Sequence, residues 1–410
     1  MIRFIHTADI HFGVENYGKI DPETGIHTRL LDFEKALNLC IDKAISEDVD
    51  FFLFAGDAYK TATPSPTQQR LLLRCFLRLY KAKIPVILVI GNHDNPLSFG
   101  KAHALDLYNE LPVDGFYVVA KPQIIPLTTK SGLVNIVGIP WPTRNTIALS
   151  DSYAHKNASE ITEYISQSVA HIIQHLANQL DPSVPAVLSG HLTVSNGIFS
   201  GSEKRAVYGT DPLFLPSQLA IAPFDYVGLG HLHRFQNLNP HGIPVIYSGS
   251  IERVDFGERK EEKGFCLISL EKKGSTKVEF IEVPTRPFKQ IEVHLNTQDD
   301  QTQQVLSELK KHTIDGAVIK ILYHLPPGKK DLLDLQTVQK ACSQAMYCTG
   351  IIPIKKIEQR QHRQLVKIDM DLKTLLTSYF ETKIELTQKK EGLIEKALLL
   401  QQNIEQETEN

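Results

Sequence analysis

Short apolar runs punctuate this chain, and several of them stop at residues that no core requires. Arg3-Phe4-Ile5-His6-Thr7-Ala8 runs into Asp9-Ile10-His11, Phe51-Phe52-Leu53-Phe54-Ala55 into Gly56-Asp57, and Ile84-Pro85-Val86-Ile87-Leu88-Val89-Ile90 into Gly91-Asn92-His93-Asp94. Further on, Ala186-Val187-Leu188-Ser189 runs into Gly190-His191, and Tyr226-Val227-Gly228-Leu229-Gly230 into His231-Leu232-His233. Apolar runs of this length bounded by turn residues read as buried strands. Helical periodicity fills the gaps: residues 30–46, with Leu31, Ala36, Leu39, Cys40 and Ala44 among the apolar positions, then 68–81, then 160–180. Alternating strand and helix predicts a parallel core with helices outside. Residues 133–139 read as a further strand that ends at Pro140-Trp141-Pro142 without a polar junction, and 265–270 and 277–283 as a hairpin.

From Pro284 the pattern changes. Strands are predicted at 290–295, 317–324 and 351–358 and helices at 302–312 and 333–345, a small β-α-β-α-β unit with no ligand junction. The end of the chain is helical in pattern: Leu372, Leu375, Leu376, Tyr379 and Phe380 form one apolar face, and Leu393, Ile394, Ala397 and Leu398 another. Beyond Asn403 the chain is polar and reads as frayed. The predicted division is therefore 1–284, 285–360 and 361–410.

Composition narrows the class. The chain has 410 residues, 42% apolar and 22% charged, as ordinary globular proteins do. No apolar run approaches the length of a membrane span. The N-terminus enters the Asp9 strand almost at once, so removal of a leader would destroy that strand, and the expected location is cytoplasmic. Cys40, Cys75, Cys266, Cys342 and Cys348 are scattered and odd in number, which suits reduced thiols. A formal net charge of −3 argues against coating nucleic acid by bulk electrostatics, so any binding to DNA must be local.

The junctions carry the chemistry. Ligands of α/β sheets sit beyond the carboxyl ends of strands. If extended geometry continues, Asp9/His11 and His231/His233 each point to one face. The glycines before Asp57, Asn92, His191 and His231 let the backbone turn and approach an ion closely. Seven candidate ligands, Asp9, His11, Asp57, Asn92, His191, His231 and His233, are too many for one tetrahedral ion and suit two octahedral ones bridged by Asp57. Mixed oxygen and imidazole ligation without thiolate favours manganese, iron or zinc over calcium. Two divalent ions carry +4 and the two ligand carboxylates −2, leaving +2 for one phosphodiester and one hydroxide. His93, next to Asn92, is expected to face the substrate as transition-state stabiliser or general acid, with Asp94 orienting it.

Other motifs weaken on inspection. Gly13-Val14-Glu15-Asn16-Tyr17-Gly18-Lys19-Ile20 nearly matches a phosphate-binding loop but has Ile20 where a hydroxyl must hold magnesium. Gly228-Leu229-Gly230 opens like a dinucleotide fingerprint, yet His233 replaces the third glycine. His171 and His175 share a helix face with no third ligand nearby and read as solvated. Trp141 reads as a core or rim anchor. The segment 196–210 reads as a polar loop leaving the site, and Arg253 either as a phosphate contact or as a partner of Glu252 or Asp255.

The order Asp-x-His, Gly-Asp, Gly-Asn-His-Asp, Gly-His, Gly-His-x-His resembles the calcineurin-like metallophosphoesterase superfamily. The wording of His6-Thr7-Ala8-Asp9-Ile10-His11-Phe12-Gly13, Ala55-Gly56-Asp57-Ala58-Tyr59 and Tyr247-Ser248-Gly249-Ser250-Ile251-Glu252-Arg253 is similar to SbcD-type DNA exonuclease subunits. The resemblance implies an α/β fold, a metallophosphoesterase β-sandwich flanked by helices (αββα), with the β-α-β-α-β unit as a cap over the site and the terminal helices as a partner-binding segment. It also implies two Mn2+ ions, double-stranded DNA ends and hairpins as substrates, an SbcC-like ATPase as partner, a role in DNA repair and recombination, and an assembly that includes a homodimer. Lys60 departs from the pattern, standing where some relatives carry a second catalytic histidine. The competing reading is a small-molecule phosphatase or cyclic-nucleotide phosphodiesterase built on the same site.

Overall fold

The computed structural model describes residues 1–96, 101–111, 113–143, 157–201, 211–355, 372–381 and 389–408. The chain forms two compact units. The first comprises Met1–Val293, Asp299–Tyr323 and Leu332–Ile352; the second comprises His294–Gln298, His324–Asp331 and the described part of Pro353–Asn410.

Three predicted helices of the first unit are present, each beginning two residues earlier than its apolar period: α1 at Thr28–Ser46, α2 at Pro66–Lys81 and α3 at Ala158–Ala177. The offset has a physical cause. Periodicity first registers at an inward-facing residue, whereas the helix is nucleated by its cap. Ser65 and Gln68 form a reciprocal capping box ahead of Pro66, and Asn157 and Glu160 form another.

The strands build two six-stranded sheets. In the first, β1 (Ile2–Thr7), β2 (Phe51–Phe54), β3 (Val86–Val89) and β4 (Phe116–Val119) run parallel. In the second, β5 (Gln123–Thr129) pairs antiparallel with β6 (Gly132–Ile139), which starts a parallel run through β7 (Ala186–His191). A two-stranded ribbon, β8 (Thr193–Val194) with β9 (Leu213–Phe214), and the short α4 (Pro216–Leu219) follow, before β10 (Tyr226–Gly230), β11 (Gln236–Asn237) and β12 (Val245–Tyr247) complete the second sheet. The hairpin β13 (Gly264–Lys272) and β14 (Ser275–Glu282) returns to the first sheet, where β13 pairs antiparallel with β1.

Alternation explains how continuous apolar runs serve two cores at once. Along β2, Phe51 and Leu53 face the layer between the sheets while Phe52 and Phe54 pack among residues of α1 and α2. In β3, Ile87 and Val89 face inward and Val86 and Leu88 outward. The second sheet repeats the arrangement: Val187 and Tyr226 enter the shared layer, and Leu188, Val227 and Leu229 pack with Ile165, Val169 and Ile173 of α3. The result is a helix–sheet–sheet–helix sandwich, with both faces of each central strand dry.

A three-stranded sheet follows, from β15 (Phe288–His294), β16 (Val318–Leu325) and β17 (Tyr347–Lys355), with α5 (Gln301–Leu309) and α6 (Leu335–Ala341) between the strands. Residues 356–358 of the predicted third strand lie outside the described residues. Within the first unit Arg286 spans Asp32 of α1, at 2.5 and 2.6 Å, and the Gly316 carbonyl at 2.6 Å. Arg253 donates to Thr285 Oγ1, the Arg286 carbonyl and the Glu261 carbonyl. Its two terminal nitrogens are thus engaged by internal acceptors, which favours an internal role over a phosphate contact, though the acceptors are not the carboxylates of Glu252 or Asp255.

In the second unit, α7 (Leu372–Glu381) and α8 (Lys390–Thr408) pack on each other. α8 continues to Thr408, past the point where polarity suggested fraying. Tyr379, Leu399 and Leu400 are more than half exposed, at 54, 58 and 57%. No helix among the described residues is long and apolar enough to cross a membrane.

Candidate metal centre

All seven expected ligands stand at the carboxyl ends of β1, β2, β3, β7 and β10, where the two sheets meet. Beyond the sheet the β1 and β2 extensions continue to pair: Asp9 N–H donates to the Gly56 carbonyl (3.0 Å), His11 N–H to Asp57 O (3.0 Å) and Phe12 N–H to Ala58 O (2.9 Å). The geometry is not extended, however. Asp9, His11, Asp57 and His231 have φ of +54, +52, +59 and +104°. Convergence of the Asp9 and His11 side chains therefore comes from left-handed backbone and not from strand alternation. Such conformations cost of order 1–3 kcal/mol each and concentrate at functional sites.

The glycines act mainly by leaving room. Only Gly56 among the four junction glycines has positive φ, at +101°. A Cβ on Gly91 would lie 2.1 Å from Asp57 Oδ1, and one on Gly230 would lie 2.2 Å from the Ala55 carbonyl oxygen.

The imidazoles are oriented from behind. His191 Nδ1 donates to the Ala55 carbonyl (2.8 Å), so its Nε2 faces Asn92 Oδ1 at 3.0 Å and Asp57 Oδ2 at 3.4 Å. His233 Nδ1 donates to Glu258 Oε1 (2.7 Å), turning Nε2 toward His11 Nε2 at 2.9 Å, itself 3.7 Å from Asp57 Oδ2. His231 is reversed: Nδ1 meets Asn92 Oδ1 at 3.2 Å while Nε2 lies 3.5 Å from Asp211 Oδ2. The Asp9 carboxylate accepts the His231 backbone N–H at 3.0 and 3.1 Å. Carbonyl and carboxylate acceptors on the outer nitrogens leave inner nitrogens with lone pairs, the form in which imidazole binds metal.

Two donor groups result. Ligand atoms of Asp9, His11 and His233 lie within 4.8 Å of one another, as do those of Asp9, Asp57 and His191. The two groups share Asp9, and Asp57 of the second lies 3.7 Å from His11 of the first and 3.4 Å from His191. The donors are nitrogen and oxygen only, as borderline and hard divalent cations prefer. His11, His191, His231 and His233 are nearly inaccessible together with Asp9 and Asp57, a concentration of polar atoms that demands compensating charge.

Electrostatics agree. Burial pushes the Asp9 carboxyl up to about 7, against the pull of His191 and His233. Burial also works against charge on Asp57, but His191 and His11 outweigh it and hold that carboxyl well below its ordinary range. Burial opposes a proton on His191, yet Asp57 and Asp9 raise it to about 9. A cation on the inner nitrogen competes for the same attraction. Burial lowers His231, and lowers His11 well below the ordinary imidazole value.

His93 and Asp94 divide differently from expectation. His93 Nδ1 donates to the Lys60 carbonyl (2.9 Å) and its backbone N–H to Asp57 Oδ1 (2.8 Å). The ring packs edge-on against His11, centroids 4.9 Å apart, and its ligand atom falls within 4.8 Å of those of His11 and Asp57. The Asp94 carboxylate is engaged elsewhere. Buried, it accepts the backbone N–H groups of Ala58, Tyr59 and Gly91 at 3.2, 3.0 and 3.1 Å. The acceptor that orients His93 is a carbonyl, and Asp94 fixes the loop that carries it.

Sequence reasoning missed Glu258, Lys263 and Asp211. Charged residues are seldom fully buried, but Glu258 and Lys263 are 0 and 1% exposed. Trp141, read as an anchor, lies on the histidines, its ring 4.9 Å from that of His231 and 6.0 Å from His191. His171 and His175 are exposed on α3. Residues 202–210 of the polar loop lie outside the described residues.

A centre of buried imidazoles and carboxylates between two packed sheets, at the ends of parallel strands, defines a metal-dependent phosphoesterase. The chain belongs to the calcineurin-like phosphoesterase family, whose model matches residues 2–235. It is 27% identical over 313 residues to the SbcD subunit of the nuclease SbcCD from Staphylococcus epidermidis, covering 76% of this chain and 77% of that protein. The SbcD-type resemblance in the motifs thus extends over most of the chain. Among solved structures it is similar to a dimetal phosphatase from Danio rerio (12% identity, 68% of this chain and 98% of the other, TM-score 0.39). A protein of Thermus thermophilus is similar at 11% identity over 68% of this chain and 98% of the other, with a TM-score of 0.37.

Proposed function

We propose that this chain is the nuclease subunit of a DNA-end-processing enzyme, cleaving phosphodiester bonds at double-stranded ends and hairpins in repair and recombination, together with an SbcC-like ATPase in the cytoplasm. The observation that carries the reading is the approach of Asp57 to both His11 and His191 in two donor groups that share Asp9, combined with similarity over most of the chain to an SbcCD nuclease subunit. Asp9, His11, Asp57 and His233 would hold one divalent ion, and Asp57, Asn92, His191 and His231 a second, Mn2+ being the ion we assign. Two such ions, when bound, activate water and stabilise charge on the phosphoryl oxygens.

The chain's own residues do the rest. His93, held at Nδ1 by the Lys60 carbonyl, keeps Nε2 for the substrate, where a proton on it can serve the departing sugar oxygen. Asp94 holds the Ala58–Tyr59 amides, and so the Lys60 carbonyl, in place. A cavity of about 590 Å³ opens beside Lys60, lined also by Gly13, Tyr17, Gly201, Val254 and Phe256, and offers a route for the strand to be cut. In this reading 1–284 is the nuclease domain, 285–360 a cap and 361–410 the ATPase-binding segment, with exposed Tyr379, Leu399 and Leu400 available for that contact.

The test is a Mn2+-supplemented assay on linear duplex DNA, a DNA hairpin and a cyclic nucleotide, with and without the ATPase. Cleavage of DNA supports the proposal. Turnover confined to the cyclic nucleotide overturns it in favour of a small-molecule phosphodiesterase.

A further inference from the structure

Glu258 and Lys263 form a buried ion pair, Oε2 to Nζ at 2.9 Å, with both side chains at zero exposure. The pair closes a ring on one residue. Glu258 Oε1 accepts the His233 Nδ1–H at 2.7 Å, and Lys263 Nζ donates to the His233 backbone carbonyl at 2.9 Å. The carboxylate is further fixed by the Val254 N–H (2.9 Å), and the ammonium by Glu261 Oε2 (3.1 Å). His233 is thereby gripped at both its ring and its backbone.

A buried ion pair is weak evidence for stability, since apolar residues of the same volume often do as well or better. Its retention here calls for another account, and the geometry supplies one. A carboxylate on Nδ1 fixes the tautomer and leaves Nε2 unprotonated, facing His11. A third carboxylate close to the centre would also subtract from the positive charge left for an anionic substrate. Lys263 cancels it in place, while Glu261, the second carboxylate on Lys263, keeps contact with water.

We propose that Glu258 and Lys263 act together as a positioning clamp for His233, presenting its Nε2 to the metal centre at no net charge. This rests on the metal reading of the site. The clamp is distinct from the donor set, because neither residue is a ligand in it.

The experiment is calorimetric titration of the full-length, EDTA-treated protein with MnCl2, alongside urea unfolding, for wild type, Glu258→Gln and the double variant Glu258→Gln/Lys263→Met. Glu258→Gln should weaken one Mn2+ site by about 10- to 100-fold and leave the other within about threefold. The double variant removes the buried ammonium that Glu258 no longer neutralises and should recover wild-type resistance to urea while remaining deficient in that one site. Recovery of stability without recovery of metal is what a merely structural pair would not give. Undiminished uptake in Glu258→Gln, or recovery of both properties in the double variant, overturns the clamp alone. A wild-type chain that takes up no Mn2+ overturns the metal reading and the clamp with it.

Discussion

Adding one methyl group at Gly230 tests the way the two sheets bring the donors together. A Cβ there would stand 2.2 Å from the Ala55 carbonyl oxygen, 2.9 Å from Ala8 Cβ and 2.9 Å from His191 Nδ1. The first contact is with backbone, so no rotamer change relieves it. Reaching an ordinary 3.4 Å separation requires Ala55 to retreat by about 1.2 Å. That carbonyl is the acceptor for His191 Nδ1 at 2.8 Å, so the retreat breaks the bond that orients a proposed ligand. Overpacking costs about 1–3 kcal/mol and an unmet buried hydrogen bond about 1–3 more, so Gly230→Ala should lose roughly 2–6 kcal/mol. Against a typical total of about 5–15 kcal/mol this is a large fraction. Urea unfolding at unchanged m-value measures it, and Mn2+ titration should show one weakened site. A variant within about 0.5 kcal/mol of wild type, the scatter of harmless surface changes, would refute the close approach of β10 to the β2 extension.

Three further outcomes are expected. Asp57→Ala should lose both bound metal and hydrolysis, whereas His93→Ala should retain metal, by elemental analysis, and lose hydrolysis; an empty site in the second variant would make His93 a ligand. Asp94→Ala strands three buried amides and should cost roughly 3 kcal/mol or more, read as a lowered unfolding midpoint, with poorer kcat because the Lys60 carbonyl is no longer fixed. Leu399→Asp with Leu400→Asp should leave the melting temperature unchanged, since both side chains are mostly exposed, yet abolish co-purification with the ATPase; a stable complex would send the search for the contact elsewhere on the chain.

How legible was all this in the residues? Strands ending in Asp9, Asp57, Asn92, His191 and His231 were readable because apolar runs and turn residues are local signals, and the helices because their periods are strong. The assembly of seven side chains at one place followed from the strand rule alone. What could not be read was everything set by distant pairing. The left-handed backbone at Asp9 and His11 depends on the β2 extension, some 45 residues away, a separation across which local pattern carries no information. The roles of Glu258 and Lys263 were not legible either, because burial of a charge is decided by what packs over it. Asp94 was given a partner by adjacency to His93, when its oxygens answer amides at Ala58 and Tyr59.

Trp141 has a consequence for anyone working at the bench with this protein. It is the sole tryptophan in the chain and rests against the rings of His231 and His191. Excited at the red edge of its absorption, beyond the reach of the thirteen tyrosines, it is a single fluorophore lying against those imidazoles. A paramagnetic ion such as Mn2+ arriving beside His231 should darken it, whereas diamagnetic Zn2+ should change its brightness far less. On the proposed reading of the site, the protein would carry its own optical gauge of which ion it takes up, readable in a cuvette without label or substrate.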